Sequence, residues 1–466
     1  MKRASKTLGW AILGVGIFMA GCAKKQQPLF SSLKDPEAVA QLKQFVAEKE
    51  AQANVSTNKM PGEFKRFFAA AESGNWIVVS NMFYDLARRN GQFESSGEPE
   101  WRLRGTPWEA VKEIWGGFDA FGEGDEKYSA AFGRDIIASI PPGSIYFGGT
   151  DPGRFLVTAF QKSQVVGDPF FTLTQNALAD GTYLDYLRGM YGDKIYIPTS
   201  EDSQRCFRQY TEDVQLRSKE NKLKPGEDVH VDPVSGRVQV GGQVAVMEIN
   251  GLLVKTIFDR ETNREFYVEE SFPLDWMYPY LEPHGLIFKL DRQPMTELSD
   301  ENVQSDHDYW AKYVQPMIGD WLTDNTSVAE VAAFAEKTFG RHDFNGFKGD
   351  PRFIQNAYSH KMFSKLRSSI AGLYAWRVSH AADPADKERM AREADFAFRQ
   401  AWALCPYSPE AVYRYVNYLL AQNRTADALL VAETAAAMPE MQGVEGGQIH
   451  NLVKQLQQWN QQSKAK

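Results

Sequence analysis

The chain is poor in the residues that do chemistry through metals and thiols. It has three cysteines and seven histidines in 466 residues. The histidines are scattered, and the pairs His307-Asp308 and His342-Asp343 have no second ligand at metal-binding spacing. No Gly-x-Ser-x-Gly elbow, no His-Glu-x-x-His helix and no Gly-x-x-x-x-Gly-Lys phosphate loop occurs, and no Gly-x-Gly-x-x-Gly follows the first expected sheet strand. These absences remove the commonest hydrolase, zinc-protease and nucleotide-binding classes, so no cofactor and no metal is expected. Basic excess is missing too. Lys and Arg number 52 against 60 Asp and Glu, a formal charge of −8, and no basic stripe stands out. General nucleic-acid binding, which depends on clustered cations, is excluded. After residue 22 no apolar run approaches the roughly 20 residues needed to cross a bilayer.

What is present begins with an export signal. Lys2, Arg3 and Lys6 precede an apolar stretch from Leu8 to Phe18, too short to be a spanning helix. It ends in Met19-Ala20-Gly21-Cys22, which resembles the lipobox of bacterial lipoproteins. That resemblance implies lipidation of the Cys22 sulfur, a mature chain starting at Cys22, and a stable membrane anchor, because several acyl chains exceed the marginal grip of one. Met19 stands where leucine is usual; an ordinary signal peptide cut elsewhere is the other reading. Ala23, not aspartate, follows the cysteine, and in the best-known lipoproteins this favours the periplasmic face of the outer membrane over the inner membrane. Loss of the signal takes the formal charge from −8 to −11. Cys206 and Cys405 remain, read as two buried thiols or as one bridge.

The composition, 43% hydrophobic and 13% aromatic, suits a protein with a substantial core. Residues 23–60 read as a tether carrying one charged helix, Pro36–Glu50. Residues 61–130 hold a helical hairpin, with Phe64, Phe67, Phe68 and Ala71 on one helix and Val79, Met82, Phe83 and Leu86 on its return. Residues 131–298 alternate short apolar strands with helices. Strands are expected at Ser144–Phe147, Phe170–Thr174, Lys194–Ile197, Phe266–Glu269 and Leu286–Leu290, with a small hairpin around Pro233-Val-Ser-Gly236. The fold class expected is therefore an α/β body of mostly parallel βαβ units. Residues 299–466 read as all helix with a glycine-rich break at Phe344–Asp350. There Ala394, Phe398 and Ala401 are followed 34 residues later by Ala428, Ala432 and Ala435, the period of a tetratricopeptide-like repeat over about 370–440.

The organising stretch is Gly143-Ser-Ile-Tyr-Phe-Gly-Gly-Thr-Asp-Pro-Gly-Arg-Phe155. A strand, a glycine turn at Gly148-Gly149 read as needing positive φ, and a helix capped by Asp151 leave backbone amides at a strand's carboxyl end. Two further strand-to-helix loops follow, and parallel strands would bring all three to one edge. The candidate ligand-binding residues are Thr150, Asp151 and Arg154 in the first loop, Gln175, Asn176 and Asp180 in the second, and Thr199 and Ser200 in the third. Each is also a good helix cap or turn former, and the two readings stay open. The aromatic run Asp275–Pro283 either stacks on a sugar or plugs the core.

Several segments resemble one family. They are Phe147-Gly-Gly-Thr-Asp-Pro-Gly-Arg-Phe155, Thr174-Gln-Asn-Ala-Leu-Ala-Asp180 with Tyr191-Gly-Asp-Lys-Ile195, Tyr267-Val-Glu-Glu-Ser271 with Trp276-Met-Tyr-Pro-Tyr-Leu-Glu-Pro283, Phe363-Ser-Lys-Leu-Arg-Ser368 with Ile370-Ala-Gly-Leu-Tyr374, and Cys405-Pro-Tyr-Ser-Pro-Glu410. They look like the soluble C-terminal region of uncharacterised multi-pass membrane proteins related to protein O-mannosyltransferases. In such proteins the acidic catalytic residue lies in the membrane part, which this sequence lacks after Cys22. The resemblance implies a non-catalytic exported module. The expectation is a lipid-anchored envelope binding or scaffold protein in envelope assembly or glycan handling, with an envelope protein partner and a glycan or small anion as ligand. An envelope enzyme acting on a glycan or phosphate-linked carrier, through Asp151 or Asp180, is the alternative.

Overall fold

The computed structural model describes residues 28–56, 60–92, 98–224, 226–231, 238–442 and 446–464. Cys22, the expected signal segment and the Pro233-Val-Ser-Gly236 turn lie outside them. Among the described residues, six α-helices precede the sheet: α1 (Leu29–Ser32), α2 (Pro36–Val55), α3 (Gly62–Glu72), α4 (Trp76–Arg89), α5 (Thr106–Gly122) and α6 (Glu126–Ser139). The expected hairpin is α3 and α4, whose phenylalanines at helical spacing are buried. Phe83 of α4 stacks on Trp108 and Trp115 of α5, with ring centroids 5.5 and 4.1 Å apart.

The tether reading fails at α2. This helix starts at Pro36 as expected, yet Leu42, Phe45, Val46 and Lys49 are buried. Gln41 and Gln44 donate to the carbonyls of Gln161 and Lys162 at 2.6 and 2.8 Å. Glu37 and Lys43 are exposed and Glu48 and Glu50 partly so, away from this buried face. Lys49 itself is inside, 2.5 Å from Glu113 of α5 and 2.9 Å from the Tyr186 hydroxyl. A buried ammonium survives when a carboxylate and hydrogen bonds replace its water.

The central region comprises β1 (Ile145–Gly148), α7 (Asp151–Phe160), β2 (Phe171–Thr174), α8 (Gly181–Tyr191), α9 (Ser200–Lys219), β3 (Asp228–Val231), β4 (Val238–Gly241), α10 (Gly242–Arg260), β5 (Phe266–Glu269), β6 (Leu281–His284) and β7 (Ile287–Leu290). Five strands form one sheet in the order β2-β1-β5-β7-β6. β1 runs parallel to β2 and β5, while β7 is antiparallel to β5 and β6. The sheet is thus small and mixed rather than mostly parallel, and the chain as a whole is mostly helical. Every residue of β1, β2 and β5 is buried. That explains the apolar text of β1 and of β5 up to Val268, since strands covered on both faces lose the polar alternation; in β2 the buried Thr172 donates its hydroxyl to Gln161 Oε1 at 2.6 Å. β3 and β4 form a separate antiparallel pair with Val229 opposite Val240, as the hairpin pattern predicts.

One expectation changes here, and one of two open readings is selected. Lys194–Ile197 belongs to no ladder among the described residues. Ile195 and Ile197 are buried, which produced the strand-like pattern without a strand partner. The aromatic run is a 3-10 turn, Asp275–Tyr280, leading into β6. Trp276 and Tyr280 pack on Phe258 at 5.4 and 5.8 Å and Tyr278 stacks on Trp376 at 5.6 Å, so this segment plugs the core.

The remainder is helical: α11 (Asp300–Ile318), α12 (Val328–Ala335), α13 (Pro351–Gln355), α14 (Ala357–His380), α15 (Pro384–Leu404), α16 (Pro409–Ala421), α17 (Thr425–Ala436) and α18 (Gly446–Lys464). The glycine-rich break falls before α13. Ala394, Phe398 and Ala401 of α15 and Ala428, Ala432 and Ala435 of α17 are all buried. One hydrophobic core runs from Leu29 to Leu456. The division at 299 therefore marks only the start of α11 and the one at 130 falls inside α6; neither separates two cores. Cys206 and Cys405 are free, buried thiols.

Candidate functional site

The carboxyl ends of β1, β2 and β5 meet at one rim, with Gly148 in register with Thr174 and with Glu269. The first two predicted loops therefore do converge. They do so around residues that the sequence reading passed over, Glu269 and Glu270. Glu269, fully buried, turns its carboxylate onto the start of α7. It accepts from the Thr150 hydroxyl at 2.6 Å, the Thr150 amide at 3.0 Å and the Gly149 amide at 3.3 Å. The helix N-terminus, where a bound anion was expected, is neutralised by the chain's own carboxylate.

Thr150, not Asp151, caps α7, because its hydroxyl accepts from the Gly153 amide at 3.1 Å. Asp151 sits one residue later on the surface and pairs with Arg154 at 2.8 Å. Arg154 also lies over the Phe155 ring at 4.3 Å. The glycines matter for space rather than for turning. Neither Gly148 nor Gly149 has a left-handed φ. A Cβ on Gly153 would meet Glu269 Oε2 at 1.6 Å, and one on Gly149 would meet Glu270 Oε2 at 1.9 Å.

Glu270 points to the second loop. Its Oε2 accepts from Gln175 Nε2 at 3.2 Å and Asn176 Nδ2 at 3.4 Å, and its Oε1 accepts from the Phe272 amide at 3.2 Å. Asn176 also donates to the Gly149 carbonyl at 3.2 Å, tying the two loops together. Asn250 of α10 fixes the second loop from behind, accepting from the Ala179 amide and donating to the Asn176 carbonyl. Gln175 Oε1 and Asn176 Oδ1 are buried acceptors with no donor among the described residues. Asp180 caps α8, accepting from the Thr182 amide at 2.8 Å.

The third loop is elsewhere. Arg264, just before β5, donates to the carbonyls of Gly143 and Lys194 at 2.6 and 2.7 Å, so Lys194–Ile197 passes the amino ends of the strands. Thr199 and Asp202 form a capping box on α9, and Ser200 is the first residue of that helix. Neither hydroxyl contributes to the rim of Glu269 and Glu270.

The segment 269–272 also joins the sheet to the helical layer. Ser369 of α14 donates to the Glu270 carbonyl at 2.6 Å, and Arg414 of α16 donates to the carbonyls of Ser271 and Ser368. Burial pushes Glu269 upward from the ordinary carboxylate range. Burial and the adjacent Glu269 charge push Glu270 up to about 7. The rim therefore holds two acids that share one low-dielectric site. A signal for it was present: two consecutive glutamates end an otherwise apolar strand. No group of three or more His, Cys, Asp or Glu side chains among the described residues forms a metal-binding cluster, and none of their helices is long and apolar enough to cross a membrane. No family model, curated protein or solved structure matches the chain.

Proposed function

We propose that the protein is a lipid-anchored scaffold or binding protein of the cell envelope and that its sheet rim is a structural junction rather than a catalytic centre. One observation carries this reading: the rim that would receive a ligand in an open α/β sheet is occupied by Glu269 and Glu270, which hold two loops and two helices of their own chain. The anchor rests on the lipobox-like Met19–Cys22, and outer-membrane placement on Ala23. The helices α15 to α18 are read as tetratricopeptide-like, with the alanines of α15 and α17 allowing close approach and the stack offering a surface to a protein partner. If the rim takes a ligand as well, the acceptors Gln175 Oε1 and Asn176 Oδ1 favour a hydroxyl donor such as a glycan, whereas the two glutamates disfavour an anion.

Replacing Cys22 with Ser tests the anchor: acyl labelling disappears and the protein leaves the membrane fraction. Retention of the variant in that fraction after a high-salt wash would refute lipid attachment.

The enzymatic alternative has one point in its favour, a carboxyl group at about 7, where a general acid is effective. Glu270→Gln separates the two. A scaffold keeps its partner in a detergent-solubilised pull-down, whereas an enzyme loses turnover on its glycan or carrier substrate with its fold unchanged.

A further inference from the structure

Away from the rim, α9, α10 and the β3–β4 hairpin make an arm with a small core of its own. Tyr210, Val214 and Ala245 are buried there, and Val229, Val240 and Ile249 pack against them. Between α9 and α10, beside the loop that follows β2, lies a groove of about 590 Å³. Its floor includes Ile249 and Leu253, and its open sides are Phe207 and Val246, which are 48% and 47% exposed. Two large apolar side chains half in water beside a cavity form the kind of patch that a partner covers.

The charges near the groove say what the partner brings. Arg205 of α9 holds Asp202 at 2.7 Å, Arg217 holds Asp213 and Glu227, and Lys255 of α10 holds Asp259 at 2.8 Å. Arg208 lines the groove next to Phe207 and has no ion-pair partner among the described residues. On a chain of net charge −8 this gives the groove the opposite sign to the molecule. A small amphiphile is held best by an enclosed pocket that buries most of its surface. This groove is open along its Phe207 and Val246 sides, a shape that suits one face of a helix.

We propose that the α9–α10 groove docks an amphipathic helix of a protein partner, with leucine-like side chains against Phe207, Val246 and Ile249 and a carboxylate on Arg208. The proposal gives the scaffold reading a partner class but does not need the lipid anchor, so loss of the anchor leaves it standing.

The test uses the full-length protein in nanodiscs, with empty nanodiscs as the blank. The probes are two fluorescein-labelled 14-residue amphipathic helices with leucines at i, i+3 and i+7, one with glutamate at i+4 and the other with lysine there. Fluorescence anisotropy is expected to show the glutamate peptide binding about three- to fivefold more tightly than the lysine peptide, the factor an exposed ion pair supplies. Arg208→Glu should reverse the preference. Val246→Asp and, separately, Phe207→Ser should remove binding of both peptides without moving the melting temperature. Equal binding of the two peptides, or binding that neither groove variant affects, would overturn the proposal. Displacement of the glutamate peptide by dodecanoate at equal concentration would make a small amphiphile the occupant and overturn it likewise. So would a self-associating species in sedimentation that Val246→Asp abolishes.

Discussion

Two buried ionic sites in this molecule solve the same problem differently. Between α11, α14 and α15, Arg367 and Asp306 form a pair with both side chains fully buried, 2.7 Å apart. Gln400 accepts from Arg367 Nε, Tyr374 donates to the same Asp306 oxygen at 2.9 Å, and the guanidinium lies 5.1 Å from the Trp310 ring centroid. At the sheet rim, Glu269 and Glu270 have backbone amides, amides of Gln175 and Asn176 and one hydroxyl as partners, and among the described residues no cation is in hydrogen-bonding contact with either. In a balanced pair each charge is the other's partner. Two like charges in one site cannot both be held cheaply, so the rim must carry a proton to be comfortable. The helical layer is fastened by charge and the sheet rim by hydrogen bonds that depend on protonation.

The largest test of that contrast is Arg367→Met, which leaves Asp306 charged and unpaired inside the helices. A loss of about 4 kcal/mol in denaturant unfolding is expected. The double variant Arg367→Met, Asp306→Leu should recover most of it, because the pair's cost disappears with its partner. If the single variant costs less than about 1 kcal/mol, the pair is not holding the layer.

Next comes Gly153→Ala at the rim. The added methyl would overlap Glu269 Oε2, and that carboxylate is held by three hydrogen bonds and cannot swing away freely. About 2–3 kcal/mol should be lost, the usual scale of overpacking. Combining it with Glu269→Ala should give less than the sum of the two single losses, since the second change vacates the space.

The third test is pH. Glu270 has a folded value of about 7 against an ordinary 4.5, so the folded chain binds its proton more tightly than the unfolded chain does. Its stabilising contribution is complete below about 4.5 and is lost as pH rises to about 7, by an amount on the order of 3 kcal/mol. Glu269, also raised, acts in the same direction. His307 beside Asp306 is raised by its hydrogen bond to Glu393 at 2.5 Å, and its contribution too fades as pH rises. pH alone therefore does not separate the two sites, but Glu270→Gln does. That variant should be more stable than the parent at pH 8 by about 1 kcal/mol and should lose much of the decline between pH 5 and 7. An unchanged pH profile would mean that Glu270 is not the group responsible.

Much of this architecture could be read in advance wherever one local pattern decided the outcome. β5 at Phe266–Glu269 and the α3–α4 hairpin follow from runs and helical spacing. Reading failed where tertiary context decided. A mixed charge count hid the buried face of α2, and two buried isoleucines imitated a strand at Lys194–Ile197. The site failed for a related reason. Sequence order placed Thr150, Asp151, Gln175 and Asn176 at loops after β1 and β2, and they are there. What fills the gap between those loops comes from β5, about a hundred residues later, and only the parallel register of β1 with β5 brings Glu269 to Gly148.

The smallest expected effect decides between a ligand site and a capped helix. Asp151 and Arg154 form an i,i+3 pair with side-chain exposures of 50% and 29%. Such a pair is worth at most about 0.5 kcal/mol, because water and salt screen it and two flexible side chains must be ordered to make it. Thr150 carries the cap and a contact to Glu269, so Thr150→Val should cost about 1–2 kcal/mol by removing both hydroxyl bonds. Asp151→Ala should then be nearly silent in thermal unfolding while Thr150→Val is not. This order is the reverse of what the sequence pattern suggests, since Asp151 looked like the cap. Should Asp151→Ala prove the more damaging, the start of α7 is held from outside its first turn, and the self-filled rim is the wrong description of this edge.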